Sequence, residues 1–134
     1  MTTYRDITWN DRDFLWLLLQ QRNASINISH KPGTTYHDHC EFVQSNPYPF
    51  YKIIEDNNLK IGYCYVTKLN EIGIFIDVVF QGMGYGREAI KYIESIYKGQ
   101  RLLANVSPRN IRSQKLFKSL GFELIQFTYS KSLL

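Results

Sequence analysis

The chain has 134 residues, of which 44% are hydrophobic, 15% aromatic and 21% charged, a balance that suits one domain over residues 1–134 and excludes a disordered or collagen-like polymer. Its longest unbroken apolar stretch, Phe14 to Leu19, is far short of the roughly 18–20 residues that cross a bilayer, and the polar start lacks a signal-peptide pattern, so no membrane partner or secretion is expected. The net charge of +4 is concentrated between Arg87 and Lys118, which points to an anionic ligand, while the absence of a groove-entering motif or an aromatic-basic sheet signature argues against nucleic acid.

In chain order, a strand around Tyr4 to Thr8 precedes Asn10, an N-cap with Asp13 three residues on, and a helix to about Gln21 whose Phe14, Leu15, Leu18 and Leu19 face a core. A polar loop from Arg22 through Gly33 leads to Thr35, which caps a second helix with Asp38 in the capping-box position, and Asn46-Pro47 ends it. The period then changes. Phe50–Glu55, Lys60–Lys68 and Ile72–Phe80 are rich in Ile, Val, Phe and Tyr, and a tight Asn57-Asn58 turn joins the first two into an antiparallel meander. From Gly86, apolar Ala89, Ile90, Ile93 and Tyr97 recur at helical spacing up to Gly99. Arg101–Val106 is a further strand, Ser107 and Pro108 open a last helix with a Ser113, Leu116, Phe117 and Leu120 stripe ending at Gly121, and Phe122–Ser130 is a final strand. The order β-α-α-β-β-β-α-β-α-β predicts an α/β protein with a mixed, largely antiparallel central sheet flanked by about four helices.

The most informative stretch is Gln81-Gly82-Met83-Gly84-Tyr85-Gly86-Arg87, where an apolar strand meets three alternate glycines and then a helix. Such a turn brings backbone N–H groups close to a phosphate, and the helix dipole favours its charge. A Rossmann fingerprint fails, because Arg87 stands where its last glycine is needed, and no P-loop GK[ST] follows. What remains, Gln81-x-x-Gly84-x-Gly86, resembles the coenzyme A pyrophosphate loop of the GCN5-related N-acetyltransferase (GNAT) superfamily. A second motif follows in order: Val106 to Ser113, with Asn110 at its centre, then Leu116-Phe117-Lys118-Ser119-Leu120-Gly121-Phe122. It resembles the superfamily's V-x-x-x-N-x-x-A segment and its aromatic-Lys-Gly-Phe ending, and the likeness extends more loosely from the first helix to Phe122.

The resemblance implies a sheet splayed between the strand ending near Phe80 and the strand ending near Val106, with acetyl-CoA as cosubstrate and no metal. Backbone groups around Ile74 and Ile76 would pair with the pantetheine arm, amides of Gly82, Met83, Gly84, Tyr85, Gly86 and Arg87 would hold the pyrophosphate, and Asn110 would line the arm. Arg87, Lys91, Arg112 and Lys115 are candidate partners for the phosphates. The implied activity is transfer of an acetyl group to a primary amine of a small molecule, amino sugar or protein by direct attack. That reaction needs a base for the ammonium proton and stabilisation of the oxyanion and leaving thiolate. Glu71 is the first candidate base and Asp77 the second. Phe117 stands where many relatives carry a tyrosine acid, and a phenyl ring cannot donate a proton. A thiol of pKa roughly 8.5 leaves tolerably without one, and Tyr129 or a water is a substitute; the alternative is an acyl-CoA-binding module with weak or no catalysis.

The acceptor side would lie against the first two helices and final strands. Arg22, Asn23 and His37 are its candidate contacts, with the aromatic segment Tyr36 to Phe42 resembling the branch that acetylates amino sugars and ribosomal proteins. Since the chain ends soon after Tyr129, either a homodimer partner completes the pocket or a small amine needs no more cover. His37-Asp38-His39-Cys40 does not match zinc spacing on a helix. Cys40 and Cys64 form neither a disulfide framework nor a CxxC pair, which fits a cytoplasmic location and burial rather than nucleophilic catalysis.

Overall fold

The computed structural model describes residues 1–22 and 34–134. Among these, β1 (Thr2–Asp6), β2 (Phe50–Asp56), β3 (Leu59–Val66), β4 (Glu71–Ile76) and β5 (Leu103–Ala104) form one sheet in the order β1-β2-β3-β4-β5. The first four are antiparallel neighbours and β5 lies parallel to β4. The Asn57-Asn58 turn forms as its sequence requires, with both residues at positive φ, 52° and 66°, the geometry that matches strand twist in a two-residue hairpin.

Period-2 alternation sends alternate side chains to two cores. On one face Phe50, Ile54, Cys64, Val66 and Ile72 pack against Ala89 and Ile93 of α3 (Tyr85–Ile96). On the other, Tyr51, Ile53 and Tyr63 pack against Leu15 and Leu18 of α1 (Arg12–Gln21) and Val43 of α2 (Tyr36–Ser45). Thr35 caps α2 as expected, its hydroxyl accepting from the Asp38 N–H at 3.1 Å, and Asn46, at φ 46°, ends it. His39 is pinned from α2 to the Arg12 carbonyl at 2.8 Å.

Several expected boundaries move, each for a local reason. The first helix is entered not at Asn10 but through a 3-10 turn, Trp9–Asp11, because the buried Asp11 accepts from the Thr8 N–H at 2.8 Å and is clamped by Arg5 at 2.8 and 2.9 Å. β4 stops at Ile76 rather than Phe80. There the Asp77 carboxylate accepts from the Val79 N–H at 3.2 Å, opening a 3-10 turn over Val78–Phe80. α4 (Ile111–Ser119) is capped by Asn110, whose Oδ1 accepts from the Ser113 N–H at 3.1 Å, while Ser107 shapes the preceding turn by accepting from the Arg109 N–H. β5 is two residues long instead of six. The final strand does not form, and residues 122–134 carry no regular structure. Their alternating apolar residues have strand propensity, yet a strand needs a ladder, and two residues of β5 supply too short a template. Ile125, Phe127 and Tyr129 are accordingly exposed.

No helix among the described residues is long and apolar enough to cross a membrane, and no group of three or more His, Cys, Asp or Glu among them could hold a metal ion.

Candidate active site

The short β5 creates the site. It pairs with β4 only at Glu71–Leu103 and Ile72–Ala104, so the two strands diverge and the rest of the β4 edge is open. In an antiparallel pair, only alternate residues spend their N–H and C=O on a given neighbour. Toward β3 these are the odd-numbered residues of β4 and its continuation, as the bonds Thr67 N–Glu71 O and Asp77 N–Ile61 O show, both 2.9 Å. The backbone groups of Ile72, Ile74 and Ile76 therefore face the opposite edge, where β5 reaches only Ile72. Gln81 folds back to donate its side-chain amide to the Ile76 carbonyl at 3.0 Å. The Ile74 N–H and C=O and the Ile76 N–H are left as a slot for an extended, amide-bearing chain.

At the mouth of the slot the glycine loop turns into α3. Gly82 and Gly84 have φ of 82° and 87°, conformations that side-chain-bearing residues enter at a cost. Gly84 is the N-cap and makes no side-chain bond, and the first intrahelical bond runs from Glu88 N to Gly84 O. The N–H groups of Tyr85, Gly86 and Arg87 precede it and have no helical partner, so they and the helix dipole present positive potential to an anion. Arg112 of α4 borders the loop, 3.5 Å from the Gln81 Oε1. Arg87 donates to the Ser119 hydroxyl at 2.6 Å, tying α3 to α4. The Tyr85 phenol turns away and donates to Asp56 at 2.7 Å, a bond that pulls the Asp56 carboxyl below its ordinary range and raises the phenol. Only the Tyr85 backbone serves the loop. Asn110 has its Oδ1 occupied as the cap of α4, accepting from the Ser113 N–H.

Glu71 sits at the opposite end, where β4 and β5 converge. Its Oε1 accepts from the Thr67 hydroxyl at 3.2 Å and its Oε2 from the Asn105 amide at 2.6 Å. Asp77 is six residues along, about 20 Å at strand rise, where it caps the 3-10 turn and accepts from Gln21 at 3.3 Å. The two candidate bases thus occupy different ends of the slot. Tyr129 is 90% exposed within the irregular terminal segment. Phe117 packs edge-on against Phe122 at 5.1 Å.

On the α1/α2 face of the same strand, Glu71, Gly73 and Phe75 alternate with the isoleucines, and Arg22 lies 5.4 Å over the Tyr63 ring and 5.3 Å over Phe75. His37 does not join this face; it is exposed and pairs with Glu41 at 3.0 Å, one helical turn on. Asn23 lies outside the described residues. Two neighbours of the site were missed from sequence. Asn105, which clamps Glu71, lies just before the Val106 motif and becomes visible only once β5 is in register. Tyr65 is opposite Gly73 across the β3–β4 pair, a register set by the turn between those strands, where the Thr67 N–H bonds the Glu71 carbonyl.

The sequence matches the family model "Acetyltransferase (GNAT) family" over residues 9–122. No curated protein matches it. Solved structures share its fold: a spermidine N-acetyltransferase from Vibrio cholerae in complex with CoA and spermine (21% identity, 90% of this chain and 79% of that one, TM-score 0.74); the aminoglycoside N-acetyltransferase AAC(6')-Iy in complex with CoA (18%, 100% and 96%, 0.74); and RimL, a ribosomal alpha-N-protein acetyltransferase in complex with coenzyme A (18%, 93% and 81%, 0.76). With a half-open β4 edge leading to a glycine-rich helix N-terminus, and with the family pattern matched over most of its length, the chain belongs to the GNAT acetyltransferase family, whose members use acetyl-CoA as cosubstrate.

Proposed function

We propose that the protein transfers an acetyl group from acetyl-CoA to a primary amine, carried by a small molecule or a peptide, by direct attack and in the cytoplasm. The observation that carries this reading is the open β4 edge continuous with the α3 N-terminus. The residues suit the cosubstrate: the Ile74 and Ile76 backbone groups match an amide-bearing arm, and the amides from Gly82 to Arg87 match a pyrophosphate, with Arg112 beside them. Acetyl-CoA, when bound, supplies the activated thioester.

The chain itself supplies proton transfer and orientation. Glu71 is the proposed acceptor of the ammonium proton, because it stands where the diverging strands meet and is held by Thr67 and Asn105. Asp77, about 20 Å away at strand rise, is occupied as a turn cap. A second reading, an acyl-CoA-binding module with weak or no catalysis, is favoured by one observation: Phe117 packs on Phe122 and offers no proton to a departing thiolate. Tyr129, the other phenol considered for that role, is exposed in a segment without a strand. The less demanding thiolate leaving group favours catalysis without such an acid.

Glu71→Gln tests the assignment. Turnover at saturating acceptor should fall by about 10²-fold or more, while acetyl-CoA affinity, set by the distant loop and strand edge, stays within twofold. Unchanged turnover rejects Glu71 as the base.

A further inference from the structure

Residues 123–134, which follow α4, are all exposed and run without a turn or a bend, and no hydrogen bond or ion pair ties them to another described residue. Their surface is largely apolar. Leu124, Ile125, Phe127, Tyr129, Leu133 and Leu134 are each between 58% and 118% exposed. At roughly 60–120 Å² for a large aliphatic side chain and roughly 150–250 Å² for an aromatic one, the six present about 600–1,000 Å². A soluble monomer ordinarily leaves its largest apolar patch at roughly 300–600 Å². Two copies of this surface closed on each other amount to about 1,200–2,000 Å², the size of a stable interface between proteins.

The order of residues in the segment specifies what pairs with it. In an extended chain Glu123, Ile125, Phe127, Tyr129 and Lys131 share one face, and Gln126, Thr128 and Ser130 share the other. The first face is complementary to itself when reversed. An antiparallel pair of two copies centred on Phe127 sets Phe127 against its own counterpart, Ile125 against Tyr129 on both sides, and Glu123 against Lys131 at both ends. Residues directly opposite in such a ladder share a face, where opposite charges stabilise and like charges destabilise. Other arrangements lose this match. Centring the pair on Ile125 or Tyr129 sets Phe127 against Glu123 or Lys131, a shift of one residue turns one copy's apolar face away from the other's, and a parallel in-register pair sets Glu123 on Glu123 and Lys131 on Lys131.

Within one copy the neighbouring edge, β5, offers only two residues, whereas the same segment of a second copy offers a template of equal length. A two-stranded ribbon also needs a surface beneath it, and α4 supplies one. That helix has no buried residue, and its Leu116, Phe117 and Leu120 are half-buried. The Phe122 N–H bonds the Phe117 carbonyl at 3.0 Å and their rings meet edge-on, which roots the segment on this helix.

We propose that residues 123–131 pair with the same residues of a second copy of this chain as an antiparallel ribbon centred on Phe127, and that the protein is a two-fold symmetric dimer through this surface.

Sedimentation velocity on the full chain is the test, and wild-type protein should sediment with twice the mass of one chain. Phe127→Asp sets two carboxylates at the two-fold axis and should raise the dimer dissociation constant at least about a hundredfold. Its near-ultraviolet circular dichroism, which reports the packed aromatic cores, should stay unchanged, because Phe127 belongs to neither core. Charge reads the register. Glu123→Lys or Lys131→Glu alone brings like charges together at both ends and should weaken the dimer several-fold at low salt, and the double variant should restore it. An equimolar mixture of the two single variants should form the heterodimer in preference to either homodimer, since only that pairing matches every charge. A wild-type chain that stays monomeric up to millimolar concentration overturns the inference. So does a wild-type dimer that Phe127→Asp leaves unchanged, or single charge variants that the double variant does not restore. None of these readouts depends on acetyl transfer, so either outcome leaves the function proposed above to its own tests.

Discussion

Gly84→Glu separates the glycine loop's role in binding from its role in folding. Gly84 has φ 87° and ψ 2° and caps α3, and a Cβ built on it meets no atom within 4 Å. The fold therefore loses only the backbone cost of a left-handed L-residue, about 1–2 kcal/mol. A carboxylate in the first turn of α3 offsets about 0.3–1 kcal/mol of that through the helix dipole. The net loss of about 1 kcal/mol corresponds to about 4 °C for a chain of this size, so the variant stays folded. In the wild type, acetyl-CoA at about 100 times its dissociation constant contributes about 2.7 kcal/mol, or about 10 °C by the same conversion. In the variant the new carboxylate occupies the unpaired amides of Tyr85 to Arg87 and repels a pyrophosphate, so the cosubstrate should raise its melting temperature by less than about 2 °C. Gly86→Ala is the control, because its Cβ would meet Leu116 at an ordinary 3.6 Å and its φ is not positive; it should keep the full shift. Melts with and without acetyl-CoA read all three proteins. An unreduced shift in Gly84→Glu would refute the assignment of the loop to the pyrophosphate.

Two further outcomes concern the buried polar groups. Burial alone would raise the Asp11 carboxyl, but hydrogen bonds from Arg5, the Thr8 amide and Lys60 prevail and hold it well below the usual carboxylate range. Its contribution is therefore complete above the unfolded value of about 4 and is lost as pH falls below it. Urea unfolding should show stability declining from pH 4 toward pH 2, and Asp11→Asn should cost about 3 kcal/mol at pH 7 and flatten that decline; an equal acid slope in the variant would contradict the pairing. Burial also pushes the Cys64 thiol up to about 12, so the native protein at pH 8 should react with a thiol reagent at Cys40 at most, and both cysteines should react in urea. Rapid modification of native Cys64 would contradict its burial.

Much of this was legible in the residues because the informative signals are local. Asn57-Asn58 requires the turn it makes, Thr35 caps the helix it precedes, and the spacing of Gly82, Gly84 and Gly86 presents the amides of α3. The length of β5 was not legible, because Arg101–Val106 has strand-like composition and its pairing is decided by how far β4 runs beside it. The terminal segment shows the same limit from the other side. Its alternation is strand-like, yet a strand exists only where an edge of adequate length accepts it. The caps made by Asp77 and Asn110 are local, each accepting from an N–H two or three residues on, whereas local patterns could not show that Asn105 clamps Glu71 from 34 residues away. That contact depends on register across the sheet.

The most direct test of the central claim is release of the CoA thiol from acetyl-CoA by wild-type protein across a panel of primary amines, followed against the amine-free hydrolysis rate. Acetyl transfer predicts amine-dependent release with at least one acceptor, lost together with the acetyl-CoA melt shift in Gly84→Glu. Cosubstrate binding with no release above hydrolysis for any amine would contradict catalysis and leave the protein an acyl-CoA-binding module.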